Sequence, residues 1–320
     1  MSLNVAIQMD PVASIDIRGD TTFALGLEAQ RRGHALFVYH PQDLTMDLSG
    51  ADRLPKDSVM ATGQATTFID QIGGHFIEEA REKRRLIDSD VVLMRQDPPF
   101  DMQYITATHL LDHIHPETLV VNNPSEVRNA PEKLLITSFP ELLPATLISR
   151  QIDDIKAFQR EHKNIIVKPL FGNGGAGVFH LKPDDENLSS LLEMMLSQDR
   201  SPLMIQQYLP DVRKGDKRVI LVDGEAVGAL NRLPAEGESR SNMHVGGTPA
   251  DIALDEHDLR IAEAIGPTLK ERGLLFAGID VIGGYLTEIN VTSPTGLREI
   301  ERFTGVNLAV HIWDAIESKL

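Results

Sequence analysis

Four glycines fall within six positions of "KPLFGNGGAGVFHL" (Lys168–Leu181), at Gly172, Gly174, Gly175 and Gly177. Gly172, Gly174 and Gly177 spell G-x-G-x-x-G, a pattern that marks a dinucleotide turn only when a strand precedes it and a helix follows. Here "NIIVKP" reads as a strand and "VFHL" as another, short, β-branched and aromatic, so the glycines join two strands. The flanks argue against a Rossmann turn, and no Gly-Lys-Ser/Thr follows to make a Walker loop. Two readings remain. One is a hairpin tip whose backbone N–H groups cover nucleotide phosphates. The other is an ordinary glycine-rich hairpin, glycine being the default where φ must be positive.

The rest of the chain sets the frame. Its 320 residues give room for two or three domains. Acidic residues outnumber basic ones 47 to 31, for a net charge of −16, which argues against nucleic-acid binding but not against a locally basic pocket for small anions. No stretch approaches the ~20 apolar residues of a membrane span, and the start "MSLNVAIQMDP" reads as a strand rather than a signal peptide. Cysteine is absent, which excludes disulfides, thiolate nucleophiles and zinc–cysteine sites. A cytoplasmic location is expected.

Residues 1–122 alternate strand and helix: "NVAIQM", a helix over about 21–32 capped by Asp20 and stopped by Gly33, "HALFVY", "DVVLMR", a helix over about 104–114, and "TLVVN". That order predicts a mostly parallel sheet. The segment 48–75 has weak periodicity and reads as peripheral strands or a loop. Residues 123–205 form a second unit, with a helix carrying Lys133, the strand "ATLIS", a helix over 153–162, the glycine-joined strands, and a helix over 188–197. Residues 206–320 form a third, in which Asp223-Gly224 signals a hairpin, a helix runs over 255–272, and "LLFAGIDVIGGYLTEINVTSP" reads as another hairpin. The fold class is α/β, turning to α+β in the carboxyl-terminal part.

The chemistry concentrates in "AGIDVIGGYLTEINVTSPTGLRE" (Ala277–Glu299). Glu288 and Asn290 are two apart on one strand and share a face. A two-residue Gly283-Gly284 turn would set Asp280 opposite Thr287; a three-residue loop, Gly283–Tyr285, would set it opposite Glu288. We expect the latter, because it converges two carboxylates and an amide, an oxygen set suited to Mg²⁺. The competing reading is a solvated acidic sheet face, disfavoured because 277–281 is otherwise apolar and a buried unpaired carboxylate is costly. Lys168 and Lys133 could reach phosphates, although surface solvation is the commoner fate of a lysine. Asp216, in "GDKRV", could accept from ribose hydroxyls or serve as a turn residue. The stretch "RLPAEGESRSNMHVGGT" (Arg232–Thr248) is long for a plain loop and suits a lid. His109 and His113 stand at i, i+4 without a third ligand and are read as surface or packing residues.

These residues carry a resemblance. "EAQRRG", "LMRQDPPFD", "VNNPSEVRNAPEKL", "KPLFGNGGAGVF", "KGDKRVILVDGE" and "GIDVIGGYLTEINVTSPTGLREIE" look like prokaryotic glutathione synthetase, of the ATP-grasp superfamily, in order along nearly the whole chain. The resemblance implies an ATP-grasp fold behind a Rossmann-like amino-terminal domain. It also implies ATP-dependent joining of γ-glutamylcysteine to glycine through an acylphosphate, in a homotetramer. By the same resemblance Mg²⁺ (or Mn²⁺) is held by Asp280, Glu288 and Asn290. ATP is met by Lys133, Lys168, the loop Gly172, Asn173, Gly174, Gly175, Ala176 and Gly177, the segment Gln206, Gln207, Tyr208 and Leu209, and Asp216. Gln207 and Leu209 would offer backbone hydrogen bonds to adenine. Substrate is met by Arg218, Arg232, Arg240, Gly246, Gly247, Ser293 and Arg298, with Arg218, Arg240 and Lys168 nearest the chemistry. Arginines suit carboxylate clamps because guanidinium binds them bidentately, and Arg298 is the foremost candidate. The rival readings are a related ligase joining another acid to another amine, and a non-catalytic nucleotide-binding module.

Overall fold

The computed structural model describes residues 2–50, 54–172, 174–238, 240–241 and 246–320. Three β-sheets organise them. The first begins with β1 (Asn4–Gln8), α1 (Thr21–Arg31) and β2 (Ala35–Met46), continues with β3 (Val59–Phe68), β4 (Phe76–Glu78) and β5 (Glu82–Arg85), and ends with β6 (Val91–Met94), α2 (Met102–Asp112) and β7 (Leu119–Val121). Asp20 caps α1 by accepting from the Phe23 amide at 2.6 Å, and Gly33 leaves it at φ +83°. β1 pairs in parallel with β2 and β6, and β6 with β7. Val5, Ala6 and Ile7 are all buried, as a strand covered on both faces must be.

The weakly periodic 48–75 segment contains β3, a ten-residue strand antiparallel to β2. Its in–out alternation exists, but small residues carry it. At Gly63 a Cβ would lie 2.3 Å from the Val38 carbonyl oxygen, so close approach of the backbones requires glycine there.

After α3 (Pro124–Arg128) the expected helix through Lys133 does not form; Lys133 sits in a turn before a 3₁₀ segment at Leu135–Ser138. Pro131 keeps α3 from running on, because it disfavours helical geometry in Ala130 before it, and the chain beyond it closes as turns, with the Thr137 amide donating to the Leu134 carbonyl at 3.0 Å. The second sheet holds β8 (Thr146–Ser149), β9 (Ile165–Pro169), β10 (Phe179–Leu181) and β11 (Leu203–Gln207), with α4 (Ile152–His162) and α5 (Leu188–Gln198). All its pairs are antiparallel, in the order β10-β9-β11-β8. Ile155, Val167, Leu192 and Ile205 form its core. The boundary expected between residues 205 and 206 falls inside β11.

The third sheet is β14-β13-β12-β15-β16, built from β12 (Asp216–Val222), β13 (Glu225–Leu233), β14 (Thr248–Asp251), β15 (Phe276–Ile282) and β16 (Tyr285–Asn290). α6 (Glu256–Glu271) packs on it, opened by a reciprocal cap between Asp255 and Asp258. α7 (Leu297–Thr304) and α8 (Ala309–Glu317) follow. α8 returns the chain to α1, where the buried Trp313 donates from Nε1 to the Leu25 carbonyl at 2.8 Å.

Candidate active site

Asp280 and Glu288 stand directly opposite one another on β15 and β16, and Asn290 lies opposite Gly278. The route differs from the expected one. The turn is the two-residue Gly283-Gly284, at φ +57° and +81°, with Ile282 paired to Tyr285. The register then slips at Thr287, and that bulge brings Glu288 level with Asp280. A two-residue turn with both φ values positive matches the twist of the strands, and a bulge sets two residues against one. The convergence is therefore present without the three-residue Gly283–Tyr285 loop. The Thr287 hydroxyl donates back to the Asp280 carbonyl at 3.0 Å.

Asp280 is not a free carboxylate. Arg218, paired opposite it on β12, donates Nε to Oδ1 at 2.5 Å and Nη2 to Oδ2 at 3.1 Å. Arg232 Nη2 lies 3.0 Å from Asp280 Oδ2 and 2.7 Å from Asp216 Oδ2, and the Ser241 hydroxyl donates to Asp216 Oδ2 at 2.8 Å. All of these side chains are buried. Burial opposes ionisation of Asp280, but the two guanidiniums outweigh it and hold its carboxyl far below the usual range. Asp216 goes the other way, raised by burial despite Arg232. Asp216 Oδ2 anchors Arg232, while Oδ1 is buried with no partner among the described residues.

Glu288 carries the open charge. Lys133 Nζ lies 3.5 Å and Lys168 Nζ 3.6 Å from its Oε1, longer than the ~2.7–2.9 Å of a tight charge-assisted hydrogen bond. Lys133 also donates to the Gly172 carbonyl at 2.7 Å and pairs with Glu132. The Glu132 carbonyl accepts from the Ile289 amide at 3.0 Å, which ties this turn to β16. Burial, then the charge of Glu288, push the Glu132 carboxyl up to about 7. Burial lowers Lys168; for Lys133 it does the same, but Glu288 and Glu132 outweigh it and the net shift is upward.

The glycine-rich loop does join two antiparallel strands, with Phe179 opposite Val167. Gly174, Gly175 and Gly177 have φ +63°, +79° and +71°. At Gly172 and Gly177 a Cβ would press on the Pro169 ring, at 3.3 and 3.2 Å. Asn173 lies outside the described residues. Arg240, clamped by Glu238, reaches across to donate to the Gly175 carbonyl at 3.3 Å. In the adenine segment Gln206 is buried and donates to the Thr146 hydroxyl at 3.1 Å. The Gln207 amide donates to the Ala145 carbonyl, so that N–H is not free for a ligand.

A single cleft of about 1000 Å³ gathers Lys133, Lys168, Gly172, Gly174, Gly175, Ala176, Gln206, Gln207, Tyr208, Leu209, Asp216, Arg218, Arg232, Arg240, Asp280, Glu288, Asn290 and Ser293. Gly177, Gly246 and Gly247 do not line it. Neither does Arg298, the foremost carboxylate clamp expected from sequence. Its guanidinium is held by the Ile17 carbonyl at 3.2 Å, Asp70 at 2.6 Å and Glu301 at 3.5 Å. The next residue on α7, Glu299, faces the cleft instead. It is buried, Oε2 has no partner among the described residues, and burial raises its carboxyl. Asp10, Asp16, Asp20 and Asp97 line the same end. Sequence reasoning missed this acidic end; its one signal was that "MDP" and "RQDPPFD" both follow strands whose carboxyl ends meet in a parallel sheet.

The chain is similar to known proteins along its whole length. Residues 3–128 match the model of the prokaryotic glutathione synthetase amino-terminal domain, and 132–305 that of its ATP-grasp domain. The chain is 55% identical over 320 residues to the glutathione synthetase of Brucella melitensis, covering all of both chains. It is 56% identical over 321 residues to that of Rhodopseudomonas palustris, covering 100% of this chain and 99% of the relative. Among solved structures, the ATP-grasp ligase PsnB superposes with a TM-score of 0.67 at 18% identity, covering 100% of this chain and 99% of that one. The D-cycloserine synthetase DcsG does so with a TM-score of 0.67 at 14% identity, covering 99% and 100%.

Proposed function

Because the chain belongs to the prokaryotic glutathione synthetase family, we infer that it joins the cysteinyl carboxylate of γ-glutamylcysteine to the amine of glycine, converting ATP to ADP and phosphate. The observation that carries this reading is the meeting, in one cleft, of two buried lysines, a carboxylate between them and a glycine-rich loop. A carboxylate is a poor electrophile, so it attacks the γ-phosphorus of ATP and expels ADP, forming an acylphosphate. The glycine amine then attacks the acyl carbon, and the tetrahedral intermediate expels phosphate as the amide bond forms and a proton leaves the nitrogen. No side-chain nucleophile is needed. The protein positions three reactants and stabilises charge.

We assign Lys133 and Lys168 to the ATP phosphates, with the amides of the glycine loop over them, and residues 206–209 to adenine. Asp280, Glu288 and Asn290 would hold Mg²⁺ or Mn²⁺. The donor set fits, being all oxygen, and Glu288 is only loosely engaged, with Lys133 and Lys168 at 3.5 and 3.6 Å. A cation held there would supply positive charge against the phosphates. Arg218, whose Nη1 takes no part in its pair with Asp280, and Arg240 face the developing oxyanion. The acidic end built from Asp20 and Glu299 suits the substrate's ammonium group better than any carboxylate. We place the enzyme in the cytoplasm as a homotetramer. No helix among the described residues is long and apolar enough to cross a membrane, and the exposed Ile72, before β4, and Ile77, within it, offer apolar contact surface.

The test of the reaction is phosphate release from ATP with γ-glutamylcysteine present, comparing glycine with alanine, serine and β-alanine. Release that depends on both the dipeptide and glycine is expected; preference for another amine or acid overturns the substrate assignment. The loop has its own test. Alanine at Gly174 or Gly175 introduces positive-φ strain of ~1–2 kcal/mol where the backbone must approach phosphate. The expected result is a KM for ATP raised roughly 5- to 30-fold, with little change in the melting temperature without ligand, since a hairpin tip makes few packed contacts. Lost stability with unaltered ATP dependence would favour an ordinary hairpin.

A further inference from the structure

We propose that His180 is a positioning residue of the nucleotide site, tying the strand that leaves the glycine-rich loop to the segment assigned to adenine. The proposal rests on the ATP reading given above. His180 is the middle residue of β10, paired opposite Ile166 of β9, and lies two residues beyond Val178, which lines the cleft. Its imidazole lies face to face with the phenol ring of Tyr208, centroids 3.9 Å apart and planes 12° from parallel. Tyr208 lines the cleft between Gln207 and Leu209, and its amide donates at 3.0 Å to the carbonyl of Asn164, one residue before β9. Both segments therefore hang from β9 through the backbone, and the ring stack joins them at the side chains. Neither segment is deep in the core: Phe179, beside His180, is exposed, and Gln207, beside Tyr208, is exposed too.

The chemistry of the pair fits a fixed spacer. Burial, with Lys182 and Arg213 nearby, lowers the imidazole below its usual range, so it stacks as a flat neutral ring. Nε2 is buried without a partner among the described residues, so at that atom no hydrogen bond dictates the ring's plane; the stack does. The stack thus holds the strand that leaves the glycine loop against the segment assigned to adenine. Loss of the stack should loosen the adenine segment without touching the reacting groups.

The experiment compares wild type with His180→Ala and His180→Phe. A stacked aromatic pair corresponds to roughly 2- to 12-fold in affinity. The expected result for His180→Ala is a KM for ATP, and an ADP dissociation constant by calorimetry, raised within that range. Its kcat and its KM for γ-glutamylcysteine should stay within about twofold of wild type, the split expected when binding shared equally by ground and transition states is removed. His180→Phe, which can still stack on Tyr208, should restore the ATP KM. An alanine variant with unchanged ADP affinity overturns the proposal, as does a phenylalanine variant impaired as much as alanine. A fall in kcat and melting temperature together with a rise in both KM values would show general damage to the hairpin and also overturn it. Absence of ADP binding in the wild type would overturn the ATP reading itself, and this proposal with it, so the two failures are distinguishable.

Discussion

Replacing Glu288 with glutamine is expected to lower kcat/KM by roughly 10²–10³-fold, the range seen when one preorganised electrostatic group is removed from an active site. Glu288 is the carboxylate that Lys133 and Lys168 both face, at 3.5 and 3.6 Å, and, unlike Asp280, it is not paired with guanidinium among the described residues. Glutamine keeps its shape and removes its charge, so phosphate and cation both lose their reference point. The side chain is partly exposed on the cleft wall, and its removal opens no cavity. The melting temperature should therefore stay close to that of wild type. Steady-state kinetics at saturating Mg²⁺ and a thermal melt check this; activity near wild type would remove Glu288 from the site.

Asp280→Asn should behave differently, because Asp280 supports the fold as well as the site. Arg218 and Arg232 both bond to its carboxylate in the buried interior, and breaking a buried pair by deleting one partner costs about 3–5 kcal/mol. A large drop in melting temperature is expected along with lost activity. The pH dependence follows from the sign of the shift. The native carboxyl is depressed, so its contribution is full above the unfolded value of about 3.9 and is lost as pH falls from there toward the native value. The stability gap between wild type and Asp280→Asn should thus be constant near neutrality and narrow below about pH 4. Denaturant melts of both proteins across that range test it. A gap that does not narrow would mean that the carboxylate's charge is not what stabilises this network.

Much of the site could be read from alternation alone. Glu288 and Asn290 share a face because strand side chains repeat every two residues, and the strand Ile165–Pro169 delivers Lys168 to the cleft as its sequence implied. The turn before Glu288 could not be read so simply. The alignment of Asp280 with Glu288 needs one extra residue, which the turn or a bulge can supply equally well, and the local sequence does not choose between them. Arg298 misled for a related reason. Lying eight residues past Asn290 says nothing about which side of α7 meets the cleft, and successive helical residues point ~100° apart. Glu299 took the inward position and Arg298 turned to Asp70. The Arg218–Asp280 and Arg232–Asp216 pairs are cross-strand neighbours, invisible until the strand order is known. β3 was obscured by its composition, since alanine, glycine and threonine hide a real alternation.

The most direct measurement follows oxygen through the reaction. γ-Glutamylcysteine labelled with ¹⁸O in its cysteinyl carboxylate is incubated with ATP, Mg²⁺, glycine and the enzyme, and the released phosphate is analysed by mass spectrometry. If that carboxylate takes the γ-phosphoryl group and glycine then displaces phosphate, one ¹⁸O must pass from the dipeptide to inorganic phosphate for each amide formed. Phosphate that carries no label, or that appears without the dipeptide, would contradict the assignment of this cleft to acylphosphate-dependent ligation.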